Sequence, residues 1–239
     1  MIYVGIDDTD ILGSRGTNQL ARAIVYDLAV DWKCHGIVRH QLLDDPRIPY
    51  TSKNGSASIV LERRDAADDT CESVRATLIA ALRHTMQGWY IEGSDPGLCV
   101  THHVPDAVTE FGRRCKQEVV TQADARKLAA RHGIHLEGLG GTEGGVIGSL
   151  AAVGLIVTGD DGRVVQLGEW PDDLTGPQPV SVIQSRNIEV EEIDSLASVQ
   201  SGTVDVGKHL RPNRRAGKTK LYVRRLESAA GQYQAIKLT

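Results

Sequence analysis

Aromatic side chains are scarce in this chain of 239 residues: they make up 4% of it, and Phe111 is the sole phenylalanine. The core must therefore be built mostly from Val, Ile, Leu and Ala. Neither charge sign dominates. The formal net charge of -4 excludes a uniformly basic nucleic-acid binder, although it leaves room for a local basic patch. No apolar run is long enough to span a membrane. The start, Met-Ile-Tyr-Val-Gly, has no basic segment ahead of an apolar one, so no signal peptide is expected. Cysteine is present four times, as Cys34, Cys71, Cys99 and Cys115, but never as Cys-x-x-Cys. That spacing argues against a zinc ribbon and a disulfide framework, and predicts reduced thiols in a cytoplasmic protein.

Against these absences stands Val4-Gly5-Ile6-Asp7-Asp8-Thr9-Asp10. A β-branched run ends in three carboxylates within four residues. Anions this close repel one another, and a hard cation offsets the repulsion well. Mg²⁺ accepts carboxylate oxygens and keeps waters and substrate phosphates as its other ligands. Residues 2–6 read as a buried strand, which puts the acids just past its carboxyl end, where open α/β sheets bind ligands. The competing reading is an acidic turn that opens a helix.

The rest of the chain reads as an α+β protein. A helix over 17–30 places Leu20, Ala21, Ile24, Val25 and Leu28 on one face. Strands are predicted over 35–43 and 56–62, separated by Pro- and Gly-rich loop chemistry. A second amphipathic helix over 68–86 turns Cys71, Val74, Leu78 and Leu82 inward, and a strand follows over 97–104. This order is β-α-β-β-α-β, the ferredoxin-like split motif, with helices expected on one sheet face. Helices near 106–119 and 121–132 precede a Gly-rich passage, Gly138 to Gly145, and an apolar run from Val146 to Gly154. A hairpin at Asp160-Asp161-Gly162 is expected to join strands 155–158 and 163–168. The stretch 170–177 looks like a linker, and short strands and polar turns fill the remainder.

Several further groups could carry chemistry. Gly144, Gly145 and Gly148 could let backbone amides approach an anion. The spacing matches no strict phosphate fingerprint, so by spacing alone a turn followed by a closely packed helix is the favoured reading. Thr17 reads first as an N-cap, and its hydroxyl also lies near the acids. Arg15 could neutralise the acids or contact phosphate. Lys53, with Asn54 and Gly55, supplies a cation beside a tight turn. The stretch 208–225 holds Lys208, Arg211, Arg214, Arg215, Lys218, Lys220, Arg224 and Arg225 and no acid. Arg211, Arg214, Arg215, Lys218 and Lys220 are candidate contacts to a nucleic-acid backbone. The alternative is a solvated hairpin whose charges oppose edge pairing.

Taken together, Ile6-Asp7-Asp8-Thr9-Asp10, Arg15-Gly16-Thr17, Arg47-Ile48-Pro49-Tyr50, Asn54-Gly55, Pro96-Gly97 and the run Gly145–Gly154 resemble, in order, the amino-terminal region of the tRNA-isoleucine 2-agmatinylcytidine synthetases. The landmarks cover residues 1–158. The resemblance implies ATP and Mg²⁺ as cofactors, activation of a cytidine oxygen by phosphorylation, and displacement by an amine. It places Asp7, Asp8 and Asp10 in the acidic motif of a kinase-like domain and Thr17 near an autophosphorylated threonine. It also implies a ferredoxin-like domain. Full synthetases carry an OB-fold and a zinc ribbon, and neither is recognisable past residue 170. The expectation is a short stand-alone relative: a catalytic core over 1–170, a strand-rich region with the basic segment over 171–239, and a separate subunit that grips RNA. The acceptor stays open between tRNA and a small molecule. Two rival functions are carried forward, a non-catalytic nucleotide- or RNA-binding module and a small-molecule (amine) sensor.

Overall fold

A computed structural model describes residues 1–48, 53–65, 72–227 and 231–238 of the chain, and its fold is α+β. Its central strand is β1 (Ile2–Asp7). The chain continues through α1 (Thr17–Asp27), β2 (Trp32–Gln41), β3 (Gly55–Arg63), α2 (Glu72–Trp89) and β4 (Gly97–Thr101). β1 pairs antiparallel with β3 and β4, and β2 pairs with β3. These four strands lie in the order β4-β1-β3-β2. Pro49, Tyr50 and Cys71, and the predicted helix start at 68–71, lie outside the described residues.

Strand alternation sorts the core. Ile2, Val4 and Ile6 point to one face, where they meet Leu20, Ala21 and Ile24 of α1 and Leu78, Leu82 and Met86 of α2. Burying each such aliphatic side chain contributes about 1.5–3 kcal/mol. The opposite face is covered too, by α3 (Asp106–Arg114), α4 (Gln122–Arg131) and α5 (Val146–Ile156), with β5 (His135–Gly138) added beside β4. Helices on both faces explain why all five residues of β4 are buried.

α5 is buried from Gly148 through Leu155 and has no polar face to show. It approaches the sheet backbone to backbone. A Cβ on Gly5 would lie 1.9 Å from the Ser149 carbonyl oxygen, and one on Gly97 would lie 2.1 Å from the Gly145 carbonyl. Gly154 does the same against the Val108 carbonyl of α3, at 2.1 Å. This corrects the predicted hairpin: Leu155 and Ile156 complete α5 instead of forming a strand. Gly154 does not end the helix, because its missing side chain is what lets α3 approach.

The rest of the chain forms β6 (Arg163–Leu167), β7 (Pro177–Pro179), α6 (Val180–Gln184), β8 (Glu189–Glu192), β9 (Thr203–Asp205), β10 (Asn213–Arg215), β11 (Lys218–Arg225) and β12 (Gln232–Ala235). β6 pairs with β2 on one side and β10 on the other, so the sheet runs unbroken across position 170. A separate cluster, including Ile183, Val190, Val204, Leu221 and Val223, forms the core of this half. No helix among the described residues is long and apolar enough to cross a membrane.

The close approach of α5 makes a direct prediction. Gly5→Ala forces the α5 backbone away and should destabilise the protein by about 1–3 kcal/mol. Gly88→Ala, in α2 with nothing within 4 Å of the added carbon, should instead raise the melting temperature. Thermal unfolding of the two variants checks both signs.

Candidate functional site

A cavity of about 240 Å³ opens where β1 ends. Asp7, Asp8, Asp10, Asp95 and Glu118 line it, as do the apolar side chains of Leu42, Ile48, Val119 and Val120. Three local structures place the aspartates. Asp7 is the last residue of β1, paired with Gly97, and its carboxylate lies against α5, where a Cβ on Gly148 would sit 1.9 Å from Asp7 Oδ2. Asp8 takes a left-handed backbone conformation, φ 52°, which ends the strand. Its carbonyl accepts a hydrogen bond from the Asp95 amide at 3.1 Å, tying the two acidic turns together. Asp95 accepts two hydrogen bonds from Thr142, from the amide and from Oγ1, each at 2.6 Å.

The third structure is the start of α1. The N-cap is Gly16, not Thr17, and no side chain caps the helix. Thr17 is the first helical residue. Its Oγ1 donates to Asp10 Oδ1 at 3.0 Å and accepts from Thr9 Oγ1 at 3.0 Å. The predicted capping role is replaced by a hydroxyl relay at the cavity wall.

The electrostatics follow from this crowding. Burial first, then the neighbouring Asp8 charge, pushes the Asp7 carboxyl up to about 8, against an ordinary value of 3.8. Burial, Asp95 and Asp10 push Asp8 up to about 6. Asp7 thus keeps its proton at neutral pH whereas Asp8 is mostly ionised, and a cation placed beside them would favour the ionised form of both. Cys115, also at the wall, is pushed up to about 12 by burial and stays a thiol.

The donor set suits a hard cation such as Mg²⁺, which takes one or two carboxylates and completes its shell with water and phosphate. The structure does not gather Asp7, Asp8 and Asp10 into one ligand set: among the described residues no three acidic, histidine or cysteine side chains form such a group. The reason is local. Asp7 turns inward to α5, whereas Asp10 turns to the Thr17 hydroxyl.

Other sequence candidates divide. Lys53, Asn54, Gly55, Gly144 and Gly148 line the cavity. Gly145 does not: its amide donates to the Asp95 carbonyl at 2.9 Å, and a Cβ there would meet backbone at 2.5 Å. The amides of Val146 and Ile147 also donate to backbone carbonyls, so the helix start is packed more than it is open. Arg15 leaves the acids, and its guanidinium stacks over Trp89 at 3.7 Å. Asp95 and Thr142 escaped the sequence reading because Ser94-Asp95-Pro96-Gly97 is ordinary turn chemistry.

The basic segment is largely neutralised. Lys218 pairs with Glu189, Lys220 with Glu191, Arg225 with Glu192 and Arg224 with Asp194. Arg211 binds both oxygens of Asp172 at 3.0 Å. Arg214 and Arg215 donate to Thr219 Oγ1 and the Asp160 carbonyl. β8 runs parallel to β11 and supplies most of these acids, so the segment is a cross-strand charge ladder and not an open cationic footprint.

No family model matches the chain, and no curated protein sequence does. Solved structures do match. A tRNA fluorescent labeling enzyme aligns with 64% of this chain at 23% identity and a TM-score of 0.53, over 35% of its own length. TiaS in its complex with tRNA(Ile2) and ATP aligns with 64% of this chain at 23% identity and a TM-score of 0.54, over 36% of its own length. TiaS, the tRNAIle2 agmatidine synthetase, has also been solved with tRNA(Ile2), AMPCPP and agmatine, and that structure aligns at 21% identity and a TM-score of 0.52. Over most of its length this chain thus has the fold of part of TiaS. The match spans about a third of those proteins.

The acid cluster predicts a pH dependence in the absence of ligand. Asp7 and Asp8 bind protons more tightly folded than unfolded, so their contribution is present below the unfolded value of 3.8. It is lost as pH rises through about 6 for Asp8 and about 8 for Asp7. Between about pH 5 and about pH 8 the melting temperature should fall, and Asp7→Asn should flatten that fall. Melting curves across this range check it.

Proposed function

We propose that this chain is an ATP- and Mg²⁺-dependent phosphoryl-transfer enzyme of the tRNA-modification kind, acting in the cytoplasm. The carrying observation is the set of four aspartates lining one cavity, with the carboxyls of Asp7 and Asp8 pushed up by burial and by their acidic neighbours. The shared fold with a protein solved in complex with tRNA and ATP supports the same reading.

In this reading Asp7 and Asp8 hold Mg²⁺. The ion supplies charge neutralisation of a triphosphate, which is most of what phosphoryl transfer asks of its site. The apolar side chains of Leu42, Ile48, Val119 and Val120 take the nucleotide base. Asp95, clamped by Thr142, fixes the Gly-rich loop over the phosphates through Gly144. Thr17, whose hydroxyl donates to Asp10 and accepts from Thr9, lines the cavity and serves as a phosphoryl acceptor or relay. Residues 1–170 act as the catalytic core around a ferredoxin-like unit, and 171–239 as an accessory region. The rival reading, a non-catalytic RNA module working through 208–225, is weakened because Arg211, Lys218, Lys220, Arg224 and Arg225 are paired with acids.

The test uses γ-labelled ATP with Mg²⁺, with and without total tRNA, following phosphate release and label on protein or RNA. Asp8→Asn should lower turnover by about 100-fold or more, with folding retained. Full activity in that variant sinks the assignment.

A further inference from the structure

The end of β2 and the turn Asp160-Asp161-Gly162 enclose a row of polar groups that the phosphoryl-transfer site does not use. His40 of β2 is fully buried, with Nδ1 2.8 Å from Asp161 Oδ1 and Nε2 2.9 Å from Ser58 Oγ of β3. The second carboxylate oxygen of Asp161 pairs with the Lys116 ammonium. Serine, histidine and carboxylate stand in the order of a hydrolase triad. Ser58, however, is fully buried and does not line the cavity, so its oxygen is not placed to meet a substrate. The protonation of the row follows from its partners. An ionised carboxylate only accepts, so Nδ1 carries the proton and donates to Asp161. Burial lowers the pKa of His40, which keeps the ring neutral at pH 7, and Nε2 then accepts from Ser58. The charges around the imidazole are Asp161, Lys116 and Arg39. Burial raises the Asp161 carboxyl, but hydrogen bonds from His40 and Lys116 outweigh it and hold it below the ordinary range. Gly162 makes the contact possible: its φ is 92°, and a Cβ there would lie 2.5 Å from Val38 Cγ1 and 2.9 Å from His40 Nδ1.

The other end of the row reaches the cavity described above. Lys116 follows Cys115, the C-cap of α3, and opens the connection that brings Glu118, Val119 and Val120 to the cavity wall. Residues 119–121 belong to neither helix nor strand. Glu118 pairs with Arg114 of its own helix end, which does not hold the connection to the sheet. Two contacts do. The Cys115 carbonyl accepts from the Leu43 amide at 3.0 Å, beside Leu42 of the cavity wall, and Lys116 is tied through Asp161 to His40. We propose that His40, Asp161 and Lys116 form a positioning relay, which seats the Cys115–Val120 wall against the end of β2 and so sets the fit of the pocket to the nucleotide base. The inference rests on the reading that this wall takes the base. None of the three side chains lines the cavity, so their effect falls on nucleotide affinity and not on the chemical step.

The test starts from the partly exposed end of the row, where substitution endangers folding least. Lys116→Met and Asp161→Asn are compared with Lys116→Arg and the wild type. Mg²⁺·ATP affinity, measured by calorimetry, should fall about tenfold in the first two and recover in Lys116→Arg. In a turnover assay the loss should appear in KM, with kcat within about twofold of wild type. Amide hydrogen exchange, read without ATP, should quicken at Leu43 and over 116–120 and stay as it is in β1 and β4. Should Asp161→Asn fold poorly, Lys116→Met alone decides. Unchanged exchange at Leu43, exchange quickened alike over the whole chain, or a fall in kcat at constant KM overturns the proposal. Locally quickened exchange in a protein whose wild type binds no ATP would uphold the relay and overturn the nucleotide reading.

Discussion

Backbone-to-backbone packing of α5 on β1 and β4 is the constraint from which the site follows. Glycines at 5, 97, 145 and 148 remove the side chains that would hold the helix off the sheet. Bringing the helix in has two effects. It walls off the end of β1, and it presses the Asp7 carboxylate against helix backbone at Gly148. The acids are therefore short of water, and their mutual repulsion is poorly screened. A solvated turn of the same sequence would leave the Asp7 and Asp8 carboxyls at ordinary values.

The same packing explains the division of labour around the cavity. Asp7 is fixed by β1, Asp8 by a left-handed turn joined to Asp95, and Asp10 by the first residue of α1. Three backbone elements thus deliver carboxylates to one place without a single cage. Such an arrangement suits a cation that arrives with its substrate more than one held permanently. Arg39 adds the complementary charge from the far side of Gly55, again where the missing Cβ makes room.

How much of this was legible depended on how local each feature is. The strand at 2–6 and the acids after it could be read directly, since an apolar run and its abrupt end are neighbours in sequence. So could α1 and α2, from their one-sided apolar spacing. The role of the glycines in and before α5 was not, because Gly5 and Gly97 meet their partners only in the folded chain. Leu155 and Ile156 look like strand residues until α5 is seen wholly buried. The basic segment misled for the same reason: the acids that neutralise Lys218 and Lys220 lie 29 residues away, on a parallel neighbour. His40 was hidden inside a strand that reads as ordinary. The family resemblance rested on residues 1–158, and the fold shared with TiaS likewise covers only part of the chain.

The central claim is that the aspartate cluster needs a cation and that a nucleotide triphosphate brings it. Calorimetric titration of ATP into the protein, with and without Mg²⁺, tests this most directly. Mg²⁺ should strengthen ATP binding to the wild-type protein, and Asp7→Asn and Asp8→Asn should lose this strengthening. Equal ATP affinity with and without Mg²⁺, or a Mg²⁺ effect that survives both substitutions, would contradict it.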